Sequence, residues 1–248
     1  MLDPLRLLGT VLSIVLAAAL AFGQSGEHSG RFGFGVKGSL LGGGVEAAVR
    51  VSHRTNVRAG FNVFRYSHNF VEDAVAWNGR LSFETIEAHY DIFPHADRFH
   101  MSPGILIYAG TPITATSAFA GNQILGLAAA PGVVSDPSAP LNGNGKIRFD
   151  KVAPMFTVGW GNLVSRKALQ HFSFPLELGV AFTGPPRAKL NVAGNVCEPT
   201  PAGPSYCSSI TSDPTFQANV VSQQNDINNS MRFLKVYPII SFGVGYRF

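Results

Sequence analysis

Residues 240–248 read Ile-Ser-Phe-Gly-Val-Gly-Tyr-Arg-Phe, with an apolar residue at every second position. Ile240, Phe242, Val244, Tyr246 and Phe248 form one set; Ser241, Gly243, Gly245 and Arg247 form the other. An extended chain sends successive side chains to opposite faces, so a period of two marks a strand with one apolar and one small or polar face. The same division recurs upstream. Phe172, Phe174, Leu176, Leu178, Val180 and Phe182 oppose Ser173, Glu177, Gly179, Ala181 and Thr183. Val152, Phe156, Val158 and Trp160 oppose Lys151, Met155, Thr157, Gly159 and Gly161. Val45, Ala47, Val49 and Val51 oppose Glu46, Ala48, Arg50 and Ser52, and Phe32, Phe34, Val36 and Leu40 oppose Gly33, Gly35, Lys37 and Ser39. Less regular versions occupy 57–68, 81–93 and 100–118, making eight strands; 113–118 and 187–193 could add a pair and make ten.

Composition bears on what surrounds these strands. The chain has 248 residues and is 46% hydrophobic but only 14% charged. A soluble domain carries about 25% charged residues to face water. High hydrophobicity with little charge argues against disorder. The formal net charge is +4, but no Lys/Arg run or basic-aromatic stripe is present, so nucleic acid is set aside as a partner. No glycine-rich phosphate loop joins a strand to a helix, and no cofactor is implied.

The amino terminus points to export. Arg6 precedes an uncharged apolar run from Leu7 to Phe22, followed by small residues around Ala19, Ala21 and Gly23. This is the pattern of a secretory signal peptide, expected over 1–23, with one domain over 24–248. No later apolar run reaches the roughly 20 residues of a spanning helix, so a membrane would have to be crossed by strands. In an oxidising compartment Cys197 and Cys207, ten positions apart, are expected to form a disulfide.

Alternation alone does not say which face is inside. A soluble barrel would bury the apolar face; a membrane barrel turns it to lipid. The polar face is rich in Gly, Ala and Ser, which suits the crowded interior of an eight-stranded barrel. Large aromatics near strand ends (Phe32, Tyr90, Trp160, Phe172, Tyr246, Phe248) fit an interfacial girdle. The charges on the polar face nearly cancel: Lys37, Arg50, Arg58, Lys151 and Arg247 against Glu46, Glu87, Asp91 and Glu177. A low-dielectric lumen needs such pairing, because an unpaired buried charge is costly. The expected fold is all-β: an antiparallel, up-and-down transmembrane β-barrel with one helix in its last long loop.

The carboxyl-terminal strand resembles the sorting signal of bacterial outer-membrane β-barrel proteins, carried here by Ser241, Gly243, Tyr246 and Phe248. The mature chain resembles a small OmpA-type barrel. That resemblance implies location in the bacterial outer membrane, surrounding membrane lipid, insertion by the outer-membrane assembly machinery, periplasmic termini, short periplasmic turns and longer external loops. The oligomeric state stays open, with a monomer expected. Periplasmic turns are expected at 53–56, 94–98 and 162–170, and external connections at 41–44, 69–80, 119–145 and 185–233. Pro154 falls mid-strand, where a bulge is expected. Asp213-Pro214 reads as a helix start, with Phe216, Val220, Ile227 and Met231 on a stripe that closes the loop over the barrel mouth.

Three functions compete. A plugged structural or surface-interaction barrel is favoured by the charge network and the small strand number, while the Gly and Ala content of the lumen keeps a narrow pore in play. A lipid hydrolase rests on His100 and Ser102, which share a strand face but lie at the periplasmic rim, away from outer-leaflet lipid. His89 between Glu87 and Asp91 fits a metal or acid–base cluster and fits a salt-bridge network equally well. The chain is expected not to be an enzyme. On the external rim, Arg65, Tyr66, His68 and Asn69 could meet lipopolysaccharide phosphates.

Overall fold

The computed structural model describes residues 30–72, 75–94, 98–110, 113–119, 132–166, 170–198 and 206–248. The expected signal peptide and residues 120–131 of the 119–145 connection lie outside the described residues.

Within them, eight strand paths close into an antiparallel barrel. They are β1 (Phe32–Ser39), β2 (Gly42–Arg50), β3 (Thr55–Glu72), β4 (Val75–Ile92), β5 (Phe99–Tyr108), β9 (Val152–Trp160), the broken strand β10 (Phe172–Ser173) plus β11 (Leu176–Ala181), and β15 (Tyr237–Arg247). Each pairs with the next in that order, and β15 closes the ring on β1 with Gly33 opposite Arg247 and Ser39 opposite Ser241. Side chains on the small and polar set point inward. The apolar set points outward and is exposed, for example Val36 at 59%, Phe156 at 38%, Leu178 at 52% and Phe242 at 56%. Water would penalise so continuous an apolar exterior, so this surface needs an apolar environment.

The sheet continues beyond the closed part of the barrel. β3 and β4 run in unbroken register from Thr55 opposite Ile92 to Glu72 opposite Val75. Residues 69–72 and 75–80, expected as part of a loop, therefore belong to two paired strands of 18 residues each. Alongside it stand β6 (Ile113–Ala118), β8 (Asn142–Arg148) and β12 (Arg187–Ala193), which pair β4 to β6, β6 to β8 and β8 to β12. The segments 113–118 and 187–193 are strands but continue the wall upward, so the barrel keeps eight strands.

Two further expectations are corrected. Pro154 causes no bulge: β5 and β9 stay in register from Phe99 opposite Trp160 to Ile107 opposite Val152. Its carbonyl accepts from Phe182 N, just past the end of β11, so its missing N–H costs the ladder nothing internal. The helix, α1 (Pro214–Ser230), starts as expected, with Asp213 accepting from Thr215 N at 2.8 Å and Phe216 N at 3.1 Å. It packs against edge strand β12, however, and its facing stripe is partly polar. Asn228 Oδ1 accepts from Ala188 N at 2.7 Å, and Gln224 Oε1 accepts from Leu190 N at 3.0 Å. Four residues apart, the two amides lie on one helix face and occupy the N–H groups that another strand would have bonded. Phe216 enters a small core with Phe119, Leu141 and Ile210, joined by Trp77 and Val220. Beside it, β7 (Val134–Ser135), β13 (Asn195–Glu198) and β14 (Tyr206–Ser209) form a separate sheet stapled by the Cys197–Cys207 disulfide across directly opposed positions. Asp136, next to this sheet, is held below the usual carboxylate range by the hydroxyl and backbone N–H of Ser138, and Asn195 adds a further bond.

Candidate functional site

The lumen is filled in three layers, beginning with a plug at the end where β9 turns towards β10. After β9 the chain turns back into the barrel and buries Leu163 and Val164 against Ala48. Missing side chains make the room. A Cβ on Gly33 would lie 2.4 Å from the Leu163 carbonyl oxygen, and one on Gly245 would lie 2.1 Å from its Cδ1. Asn162 Oδ1 accepts from Asn56 Nδ2 and from Val164 N, both at 2.9 Å. Arg50 donates to the Ser165 carbonyl at 2.8 Å, and Arg247 donates to the same oxygen at 2.6 Å. The turn is thus bonded to strands β2, β3 and β15 across the barrel and lies close against β1.

Above it lies the charged layer. Arg58 grips Asp91 with two bonds of 3.1 Å, reaches Glu46 at 3.0 Å, and donates to Glu177. Lys37 donates to Glu87 at 2.5 Å and stands 3.7 Å from Glu46. All six groups are buried. Two cations face four carboxylates here, and two histidines supply further donors. His89 Nε2 lies 3.1 Å from Glu87, and His100 Nε2 lies 2.9 Å from Glu177. His100 Nδ1 lies 3.0 Å from the Gly161 carbonyl, so both ring nitrogens face acceptors. The His100 ring fits because its cross-strand partner is Gly159, where a Cβ would come within 2.6 Å of it. Ser102 donates to Asp91 at 2.6 Å, Asn62 to Glu87 at 2.6 Å, and Ser241 to Glu177 at 3.3 Å. The void left among Glu46, Arg58, Asp91, His100 and Glu177 is about 10 Å³, room for about one water.

The third layer, at the opposite end from the plug, is apolar. Leu41 folds in from the β1–β2 turn and meets Phe83, Leu106, Tyr108, Met155 and Ile239.

Of the nine charges expected in the lumen, the structure brings Lys37, Glu46, Arg58, Glu87, Asp91 and Glu177 into one network. Arg50 and Arg247 face inward but bond the plug's carbonyls instead. Lys151 is not luminal: it precedes the first residue of β9, at the break after β8, and its side chain is exposed. Its departure, with that of the two arginines, turns an expected five-to-four balance into two cations against four carboxylates. His89 and His100 set ring nitrogens against Glu87 and Glu177 in the same layer. Asp91, His100 and Glu177 are spaced as metal ligands could be, but Arg58 already bonds both carboxylates, so the cation position is taken by a side chain. His100 and Ser102 each serve a separate carboxylate inside this closed layer. Of the carboxyl-terminal set, Ser241 faces the lumen. Tyr246 and Phe248 face outward and pack edge-to-face with ring centroids 5.2 Å apart, beside Phe172 and Phe34.

Two solved structures from Acinetobacter baumannii are similar to this fold. CarO2 aligns with a TM-score of 0.51 at 12% identity, covering 90% of this chain and 100% of that one. CarO aligns with a TM-score of 0.48 at 15% identity, covering 87% of this chain and 97% of that one. No family model matches the sequence, and no curated protein matches it.

Proposed function

We propose that this chain is an integral barrel of the bacterial outer membrane with a plugged lumen and a structural or surface-interaction role. The observation that carries the proposal is the filling of the lumen: a bonded turn, a closed ion-pair layer and an apolar layer follow one another along its length. An eight-stranded interior is only just wide enough to be filled by side chains, and here it is filled. The outward apolar band supports a lipid surrounding, and the Ser241 to Phe248 pattern supports insertion by the assembly machinery. No catalytic step is assigned, because His100 and Ser102 are enclosed and each bonds a different carboxylate.

A narrow conduit is the second reading. Its supporting observation is that the periplasmic plug is a turn held by hydrogen bonds rather than a strand of the wall. Planar-bilayer recording of the refolded protein tests both. The plugged barrel gives no reproducible open steps, whereas regular steps from the unaltered chain would replace the first reading with the second.

A further inference from the structure

We propose that the outward face of the external sheet binds the phosphates of phosphorylated glycolipid headgroups in the outer leaflet. This rests on the outer-membrane reading above and adds a ligand to it.

The face is defined by register. Arg80 pairs with Thr114, Thr114 with Lys146, and Lys146 with Lys189, giving a row across four strands. Below that row Arg148 pairs directly with Arg187, and on the hairpin Arg65 pairs with Ser82. All six cations are exposed, while the alternate residues Ser117, Gly143 and Ala188 point inward and are buried. On β3 and β4 the face continues the apolar exterior without a change of phase: Arg80, Ser82 and Glu84 lead into Ile86, and Arg65 follows Val63 and Phe61. The cations therefore stand directly above the surface that meets lipid.

Two observations point to an anion. The first is like charges placed directly opposite one another, which destabilise a sheet; here there are two such pairs, Lys146 with Lys189 and Arg148 with Arg187. The second is poor local compensation. Among the described residues the ion pairs on this face are Arg65 with Glu84 at 2.5 Å and Arg187 with Asp150 at 3.1 Å, so two carboxylates there meet six cations. A ligand carrying several negative charges would relieve both. Height selects its class. Arg80 lies six residues beyond Ile86, roughly 20 Å along the strand, or about 15 Å above the apolar band at a barrel strand's tilt. A phospholipid headgroup layer is only about 5–8 Å deep. Cations spread over about twice that depth fit a taller glycolipid headgroup bearing phosphates at more than one level.

The test uses the refolded full chain in detergent, with purified bisphosphorylated lipid A as probe and its dephosphorylated form as control, read by native mass spectrometry and by titration. The comparison protein carries Lys146→Gln, Arg148→Gln, Arg187→Gln and Lys189→Gln together. The gel shift on heating monitors folding, and single Lys146→Gln and Arg187→Gln variants stand in if the combined protein does not fold. The unaltered chain should prefer bisphosphorylated lipid A at least tenfold, and the fourfold variant should lose that preference. Equal binding of both lipids, or equal binding by the variant, overturns the proposal. Complete competition by millimolar inorganic phosphate also overturns it, by identifying a site for small soluble anions. Cell fractionation is scored separately: absence from the outer membrane sinks the functional reading, whatever the lipid titration gives.

Discussion

Arg58 in the lumen touches three carboxylates, whereas on the external sheet Lys146 faces Lys189 and Arg148 faces Arg187. The first region is buried, so its charges must be matched by groups the chain itself supplies. The second is exposed, where under the proposed reading neighbouring lipid supplies the match. Charge in a membrane barrel therefore has to be judged by the medium around it. The low overall charge of the chain conceals two opposite arrangements, one closed on itself and one open.

The sharpest way to break this comparison is to remove the luminal cation. Replacing Arg58 with Met leaves Asp91, Glu46 and Glu177 short of their shared partner in a buried layer. Breaking a buried network from one side costs about 3–5 kcal/mol. Denaturant unfolding in detergent should show a loss of that size, and Arg58→Lys should recover only part of it, because an ammonium cannot make the forked contacts. A loss below about 1 kcal/mol would mean that the lumen is wetter than its packing indicates.

The plug is the next largest target. In Gly33→Ala the new Cβ would meet the Leu163 carbonyl at 2.4 Å, and a backbone atom cannot step aside cheaply. Overpacking of this kind costs about 1–3 kcal/mol. The expected outcome is a barrel that still shifts on heating but is less stable, with residues 161–166 more open to hydrogen exchange. Unchanged exchange at Leu163 and Val164 would show that the turn is not seated on β1.

Much of this was legible in the chain, because a barrel wall is a local pattern. The period of two shows which side chains face inward, and it correctly sends Lys37, Glu46, Arg58, Glu87, Asp91 and Glu177 there. It also puts Arg50 and Arg247 on the inner face. It cannot show that their partner is a turn more than 80 residues away from either, since that is a tertiary contact with no local signature. Lys151 misleads for a different reason: it has the parity of the inward set but precedes the strand, and parity has no meaning off the ladder. The top of the β3–β4 hairpin is not legible because Asn69, Asn78 and Gly79 look like loop, although a sheet beyond the closed barrel can be polar on the outside. The glycines of the inner face suggested spare room, and the space is used by Leu163 and His100.

The edge held by α1 separates the two regions further, with a smaller effect. Asn228 accepts from Ala188 N and donates weakly to its carbonyl at 3.5 Å, standing in for a neighbouring strand. Asn228→Ala leaves that N–H without its partner and should cost about 1–2 kcal/mol. The loss should be local, so amides of β12 should exchange faster while those of β1 and β15 do not change. Equal acceleration in both places would mean that the external sheet and the barrel unfold as one unit.

The smallest effect is expected where the charges are exposed. Arg187→Gln removes the ion pair with Asp150, whose partners are 76% and 47% exposed, and such pairs contribute about 0–1 kcal/mol. The same change removes the repulsion from Arg148 directly opposite, which acts with the other sign. The two nearly cancel, so stability in a detergent free of anionic lipid should stay within about 0.5 kcal/mol of the unaltered chain. The sign of the remainder is informative. If Arg187→Gln is slightly more stable in neutral detergent and slightly less stable once bisphosphorylated lipid A is added, the repulsion is real and an anion relieves it. If lipid A moves neither protein, the opposed arginines are simply tolerated by solvent screening, and the contrast with Arg58 reduces to burial alone.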